Sequence, residues 1–285
     1  MVDFKTETEL ADRPSEPALE IGMAKQLADL ARQFEQNRTG RTSESVTATL
    51  VDDSLVITLR GTLSLAEKDL AKTSVGADQM RELHRQLFLS SCSSLLREIE
   101  VITGVAVRDA TSEIATHTGT VVQVFLLAAG VAPSTWSEST SEIWAAKQLA
   151  EVAYQFEKHR TGRTPESVTA VLIDDTLVIT LREALSTSEK ELAKTPVGAA
   201  QVRELHRQLF LTSCGSLRQE VEVITGVGVL EATSEVATHT GTVVLVFLLA
   251  ANVTASTWSE TKTKSEPASV SSPRGSAKPE LGGES

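Results

Sequence analysis

The run MAKQLADLARQFEQNRTGR sets Met23, Leu27, Leu30, Ala31 and Phe34 on one helical stripe and then meets basic residues and Gly40, which predicts a helix ending near Asn37. A period of two replaces it in ESVTATLVDDSLVITLRG. A tight Asp52-Asp53 turn there pairs Leu50 with Leu55, Ala48 with Ile57 and Val46 with Leu59 on one apolar face. The opposite face carries Thr47 against Thr58 and Ser45 against Arg60, so the hairpin is expected to cover a core on one side and meet solvent on the other. LSLAEKDLAKT reads as a short helix with Ser64 as N-cap and Glu67 at capping-box spacing. From Ala77 to Thr103, Met80, Leu83, Leu87, Cys92, Leu95, Ile99 and Ile102 approximate the stripe of one long helix, closed by Gly104. VAVRDATSEIATHTGTVVQVFLLAA then gives two strands around a Thr-Gly turn. Val121 to Leu127 is apolar on both faces except at Gln123, the mark of a strand buried on both sides.

The whole pattern occurs twice. Lys25 to Ser137 aligns without a gap on Lys147 to Ser259 at a constant offset of 122 residues and roughly three-quarters identity, and RELHRQLF recurs unchanged at Arg81–Phe88 and Arg203–Phe210. Repeats of this length are domains rather than solenoid units. The chain divides into an acidic lead over 1–19, a first repeat over 20–137, a linker over 138–143, a second repeat over 144–259 and a Ser/Pro/Gly-rich tail over 260–285. The lead and tail are too polar to bury a core and are expected to be disordered. The predicted fold class is α+β, each copy running α-β-β-α-α-β-β, with a four-stranded, mainly antiparallel sheet and helices on one face. Because the last strand is apolar on both faces, the open side of each sheet needs a cover. The other copy, as an intramolecular pseudo-dimer, or a further chain in a homo-oligomer would supply it. Gln123 is replaced by Leu245 in the second copy, which predicts that the two faces are not equivalent.

Composition narrows the function classes. A net charge of -11 repels a phosphate backbone and excludes nonspecific nucleic-acid binding. The opening twenty residues lack an apolar signal region, and the longest apolar run, VVLVFLLAA, is too short for a membrane span, so a soluble chain is expected. Cys92 and Cys214 have neither CxxC nor zinc-ligand spacing, which fits reduced cytoplasmic thiols. No nucleotide-loop, zinc-protease or hydrolase signature is present, so no catalytic residue, cofactor or metal site is assigned.

What chemistry remains lies in the repeated helix. Arg81, His84 and Arg85, with Arg203, His206 and Arg207, form candidate anion-binding groups, because arginine offers paired donors and histidine adds another near neutral pH. The plainer reading has these side chains edging the helix, next to core positions Leu83 and Leu205, and bonding to Glu82, carbonyls or water. His117 and His239 fall at hairpin tips, where solvent exposure is the ordinary state, and His159 aligns with Asn37 of the other copy. Asp52-Asp53 and Asp174-Asp175 are explained by turn chemistry. The cysteines lie on the apolar side of the long helix as buried thiols, and an enzyme would need His and Cys brought together between copies. Trp136 and Trp258 follow the final strands as candidate aromatic anchors.

The run VTATLVDDSLVITLRGTLSLAEKDLAKT, then RELHRQLF, EIEVITGVAV and TGTVVQVFLL, resembles a bacterial family, MpsC-like, named for the C component of a sodium-translocating, membrane-potential-generating system. Asp53, Leu55, Val56, Leu63, Glu67, Lys68, Ile102, Thr103 and Gly104 fall on its pattern, and the resemblance covers nearly all of each copy. Glu183 replaces the glycine expected at that bend and kept as Gly61, so the bend is expected to alter. The resemblance implies an accessory or regulatory protein, not an enzyme, with membrane transport subunits as partners in a system handling sodium or inorganic carbon (bicarbonate). It places the chain in the cytoplasm, peripheral to the inner face of the membrane where a partner holds it. A small-anion sensor built on the Arg/His helix is the alternative.

Overall fold

A computed structural model describes residues 16–130 and 140–253. Most of the acidic lead, all of the tail, Trp136 and Trp258 lie outside the described residues. The first copy comprises α1 (Glu16–Thr39), β1 (Ser45–Val51), β2 (Ser54–Arg60), α2 (Leu65–Leu70), α3 (Ser74–Ser91), α4 (Ser93–Thr103), β3 (Val107–Ala115) and β4 (Thr120–Leu127). The second repeats it as α5 (Thr140–Thr161), β5 (Ser167–Ile173), β6 (Thr176–Arg182), α6 (Thr187–Leu192), α7 (Pro196–Ser213), α8 (Gly215–Thr225), β7 (Val229–Ala237) and β8 (Thr242–Leu249). Thus α1 begins inside the stretch read as lead, and α5 inside the stretch read as linker.

Each copy is the α+β unit its pattern predicts, a four-stranded antiparallel sheet ordered β1-β2-β4-β3 or β5-β6-β8-β7. The first hairpin has the predicted register, Leu50 opposite Leu55 and Val46 opposite Leu59. Its turn is made by Asp52, whose φ of 55° lies in the left-handed region that aspartate adopts more readily than most residues. Ser64 caps α2, its hydroxyl accepting from the Glu67 N–H while Glu67 accepts from the Ser64 N–H.

The expected long helix is broken at Cys92 into α3 and α4. Four serines flank that break, and the Ser91 hydroxyl donates to the Leu87 carbonyl at 2.6 Å, competing with the backbone ladder that would continue the helix. The break also resets the stripe. Leu83 and Leu87 are 48% and 36% exposed, whereas Ala77, Met80, His84 and Phe88 are buried. The core face of α3 is therefore turned one position from the predicted one, and His84 occupies the place expected for Leu83. Phe88 anchors it, edge-on to Phe34 of α1 at 6.4 Å and to Phe125 of β4 at 6.1 Å. Phe156, Phe210 and Phe247 repeat the arrangement.

The hairpin face read as solvent-facing is covered along β2, while Ser45 at the start of β1 stays exposed. Ser54, Val56 and Thr58 have relative exposures of 1% or less, because the two sheets pack face to face. Val56, Val122, Val124 and Leu126 of one copy form a single apolar cluster with Val171, Ile173, Val178, Val244 and Val246 of the other. Threonines and serines near the edges of the face made it look wet in the sequence. The valines at its centre are what the sibling sheet covers.

Two positions depart from their partners in the other copy. Gln123 pairs in register with Ile57 and lies on the helix side of its sheet, with neither amide atom hydrogen-bonded, where the second copy has Leu245. The face toward the sibling does not contain it, so it is no source of asymmetry there. Glu183 has φ 54° against 68° for Gly61, so the bend is kept rather than altered. At Gly61 a Cβ would press to 2.4 Å of the Glu44 side chain. At Glu183 an ion pair with Lys190 accompanies the strained backbone.

Replacing Gln123→Leu removes an unpartnered buried amide and is expected to stabilise the chain by about 1–2 kcal/mol. Glu183→Gly relieves a left-handed non-glycine residue for a gain of about 1 kcal/mol, reduced by loss of the exposed ion pair. Urea denaturation of the two variants against the parent measures both.

Candidate functional site: the arginine-lined cavity between the copies

The seal between the sheets is apolar, and ion pairs around it set its register. Arg60 at the end of β2 grips Asp175 in the β5-β6 turn, one contact at 2.6 Å, and Arg182 reciprocates toward Asp53. Asp53 and Asp175 therefore do more than turn the chain, which adjacent acids on a tight turn did not reveal. At the other edge β3 lies against β7. A register shift at Arg108 re-aims β3 so that Asp109, like Thr111 and Glu113 opposite Val124 and Val122, faces the sibling. Asp109 accepts from the Thr240 N–H and hydroxyl at 3.0 and 3.1 Å, and Glu231 accepts from the Thr116 and His117 N–H groups at 3.1 and 2.9 Å. Each hairpin tip is thus held by an acid of the other copy.

Above this edge the two RELHRQLF helices bound a cavity of about 610 Å³, into which Arg81 and Arg85 come from α3, Arg203 and Arg207 from α7, Glu113 from β3 and Glu235 from β7. The helical period explains the split: Met80, His84 and Phe88 face the core, and Arg81 and Arg85, each one residue later than a core position, face the sibling. Arg207 donates to Asp78 of the other copy at 3.0 Å, and Arg81 donates to Asp78 and Glu231, both at 3.0 Å. Arg85 and Arg207 are forked onto Glu82 and Glu204 of their own helices.

Of the six candidate anion-binding residues, the structure brings the four arginines together and sends the two histidines elsewhere. His84 lies against Glu67, Nε2 to Oε1 at 3.8 Å, and His206 against Glu189 at 3.2 Å, both in the helix-side layer of their own copy. Burial, helped by the Arg38 charge, pushes the His84 pKa down, and burial does the same for His206 against the pull of Glu189. Burial raises the Glu189 carboxyl, but bonds from Ser186, Arg163 and His206 outweigh it and hold it at about 2. These histidines are parts of a core network, together with the buried Glu35–Arg38 and Glu157–Arg160 pairs.

Glu113 and Glu235 were missed. In the sequence they lie on a strand expected to end at a solvent-exposed tip, and only the covering sibling buries Glu113 and leaves Glu235 part-buried. Burial, reinforced for Glu113 by the charge of Glu235, raises the Glu113 carboxyl well above its ordinary range. Burial raises Glu235 to about 7 against the opposing charges of Arg203 and Arg85.

The remaining candidates are quiet. His117 and His239 have exposed side chains. Cys92 and Cys214 are free thiols, each directed to a carbonyl of its own helix and raised in pKa by burial, and among the described residues neither is hydrogen-bonded to a histidine. Among the described residues no cluster of three or more His, Cys, Asp or Glu side chains could hold a metal ion, and no helix is long and apolar enough to cross a membrane.

The fold and its site define a class: a tandem-duplicated α+β chain whose copies pack sheet to sheet, with a charged cavity where their matched helices meet. The family model described as "Na+-translocating membrane potential-generating system (MpsC)" matches residues 22–129 and again 144–251. The chain belongs to that family and carries its domain twice. Comparison with curated proteins and with solved structures gave no match.

The raised carboxyls have a defined pH signature. A group with a raised folded pKa contributes stability that is complete below its unfolded value near 4.5 and is lost as pH rises through about 7 for Glu235. His84 and His206, lowered by burial, act oppositely: their contribution is present above the ordinary histidine value of 6.5 and lost as pH falls toward the folded one. Glu235→Gln should match the parent in denaturation near pH 5 and exceed it near pH 8 by on the order of 2 kcal/mol.

Proposed function

We propose that this chain is an accessory or regulatory component of a sodium-translocating, membrane-potential-generating system, acting through protein contacts and not as an enzyme. The single observation that carries the reading is the double family match, since the family description names such a system. The sheet-to-sheet packing supports it. Two family domains that cover each other's open faces within one chain leave their helical surfaces as the places for a partner, with Leu83 and Leu205, each 48% exposed, among the apolar side chains there. With no helix able to span a bilayer among the described residues, the ion path in this reading belongs to membrane subunits, and the chain docks on them at the cytoplasmic face. Sodium, the ion in the family description, is the one this reading commits to, in preference to bicarbonate.

A tagged full-length chain is expected to co-purify from detergent-solubilised membranes with integral membrane subunits. Its deletion should reduce sodium-dependent membrane potential measured in vesicles. An unchanged potential in deletion vesicles, with no membrane subunit retained on the tagged chain, overturns the proposal.

A further inference from the structure

The cavity between α3 and α7 goes beyond the docking reading and stands without it. Its four arginines are not fully engaged by the carboxylates around them. Arg85 is 8% exposed, its Nε and Nη2 are taken by Glu82, and its buried Nη1 has no hydrogen-bond partner among the described residues. Arg203 makes one long bond, Nη1 to the Thr238 hydroxyl at 3.4 Å, and lies 3.8 Å from Glu235. Burial and then the charge of Arg85 lower the Arg203 pKa against the pull of Glu235 and Glu82, so two guanidiniums from different copies line the cavity near each other. Buried, part-paired arginines with spare planar donors are the arrangement that takes a carboxylate or phosphate oxyanion.

We propose that the inter-copy cavity is a binding site for a small oxyanion, a carboxylate or phosphate group held between Arg85 of α3 and Arg203 of α7. Neither copy forms it alone, because each supplies one of the two guanidiniums. The volume of about 610 Å³ admits an organic acid or a phosphate ester as readily as the bare ion. Glu235 is the competitor for Arg203. On β7 it faces Arg203 of α7 and Arg85 and Glu82 of α3, while Glu113 on β3 faces Arg81 of α3, Arg207 of α7 and Glu231 of β7. Asp78 and Glu204 stay with Arg81 and Arg207 at the rim. An oxyanion arriving at Arg203 therefore favours the protonated form of Glu235, and binding takes up a proton and strengthens as pH falls from about 8 to about 6.

Isothermal titration calorimetry on the full chain tests this, with inorganic phosphate and malonate as separate probes at about pH 6 and about pH 8. Saturable binding of at least one probe is expected, tighter at the lower pH, and which probe binds assigns the oxyanion class. Arg85→Gln and Arg203→Gln should each weaken it by about tenfold or more, while the exposed Arg32→Gln leaves it unchanged. Glu235→Gln, which removes the competing charge, should tighten binding near pH 8 and reduce its pH dependence. Absence of saturable heat for both probes up to about 10 mM at the lower pH overturns the proposal, as does unchanged affinity in folded Arg203→Gln or no tightening in Glu235→Gln.

Discussion

Everything distinctive about this chain depends on one apolar contact, the valine-rich face of one sheet laid on its copy. A buried valine contributes about 1.5–2 kcal/mol of transfer free energy, and a part-exposed ion pair rarely more than about 1 kcal/mol. The cluster around Val56, Val122, Val124, Val178, Val244 and Val246 therefore supplies the adhesion. The Arg60–Asp175 and Arg182–Asp53 pairs act differently: a guanidinium fits a carboxylate in few orientations, so they fix how the sheets are set against each other. The hairpin tips held by Asp109 and Glu231 fix the opposite edge.

From that seal the cavity follows. Laying two matched sheets together with β3 against β7 brings α3 and α7 to the same edge, and their repeated sequence places equivalent arginines opposite one another. RELHRQLF thus has a double task within one helix. Here Met80, His84 and Phe88 close the core of a copy, while Arg81 and Arg85 meet the sibling. A face that would be an ordinary charged edge on a single domain becomes, in the pair, a part-buried cluster of four arginines set among Asp78, Glu82 and Glu204, with two raised carboxyls beneath it. The family membership, and the sodium system its description names, give this architecture its setting.

Much of the molecule was legible in the sequence because it depends on neighbours along the chain. The Asp52-Asp53 turn and its register, the Ser64–Glu67 capping box, the stop at Gly104 and the duplication itself are local or periodic features. Where reading failed, a distant surface had intervened. Leu83 was assigned to the core and His84 to its boundary because leucine is the more apolar. The break at Cys92 and the ring stack on Phe88 turned the helix so that the histidine went inward, lying near Glu67. Gln123 was placed on the sibling-facing side, although strand alternation from the Thr58–Val122 pair puts it on the helix side.

The amino-acid sequence by itself determined the two copies, their element order, the antiparallel hairpins and the need to cover a strand that is greasy on both faces, since these follow from period, composition and short-range hydrogen bonding. Only the tertiary structure decided that the sibling sheet is the cover and that four of six candidate residues converge while two histidines turn away. It alone buried the Glu113 carboxyl and part-buried that of Glu235. The physical reason is that burial and electrostatic environment are properties of the space between elements. A glutamate on a strand carries no sign of the desolvation it will meet until another surface removes its water.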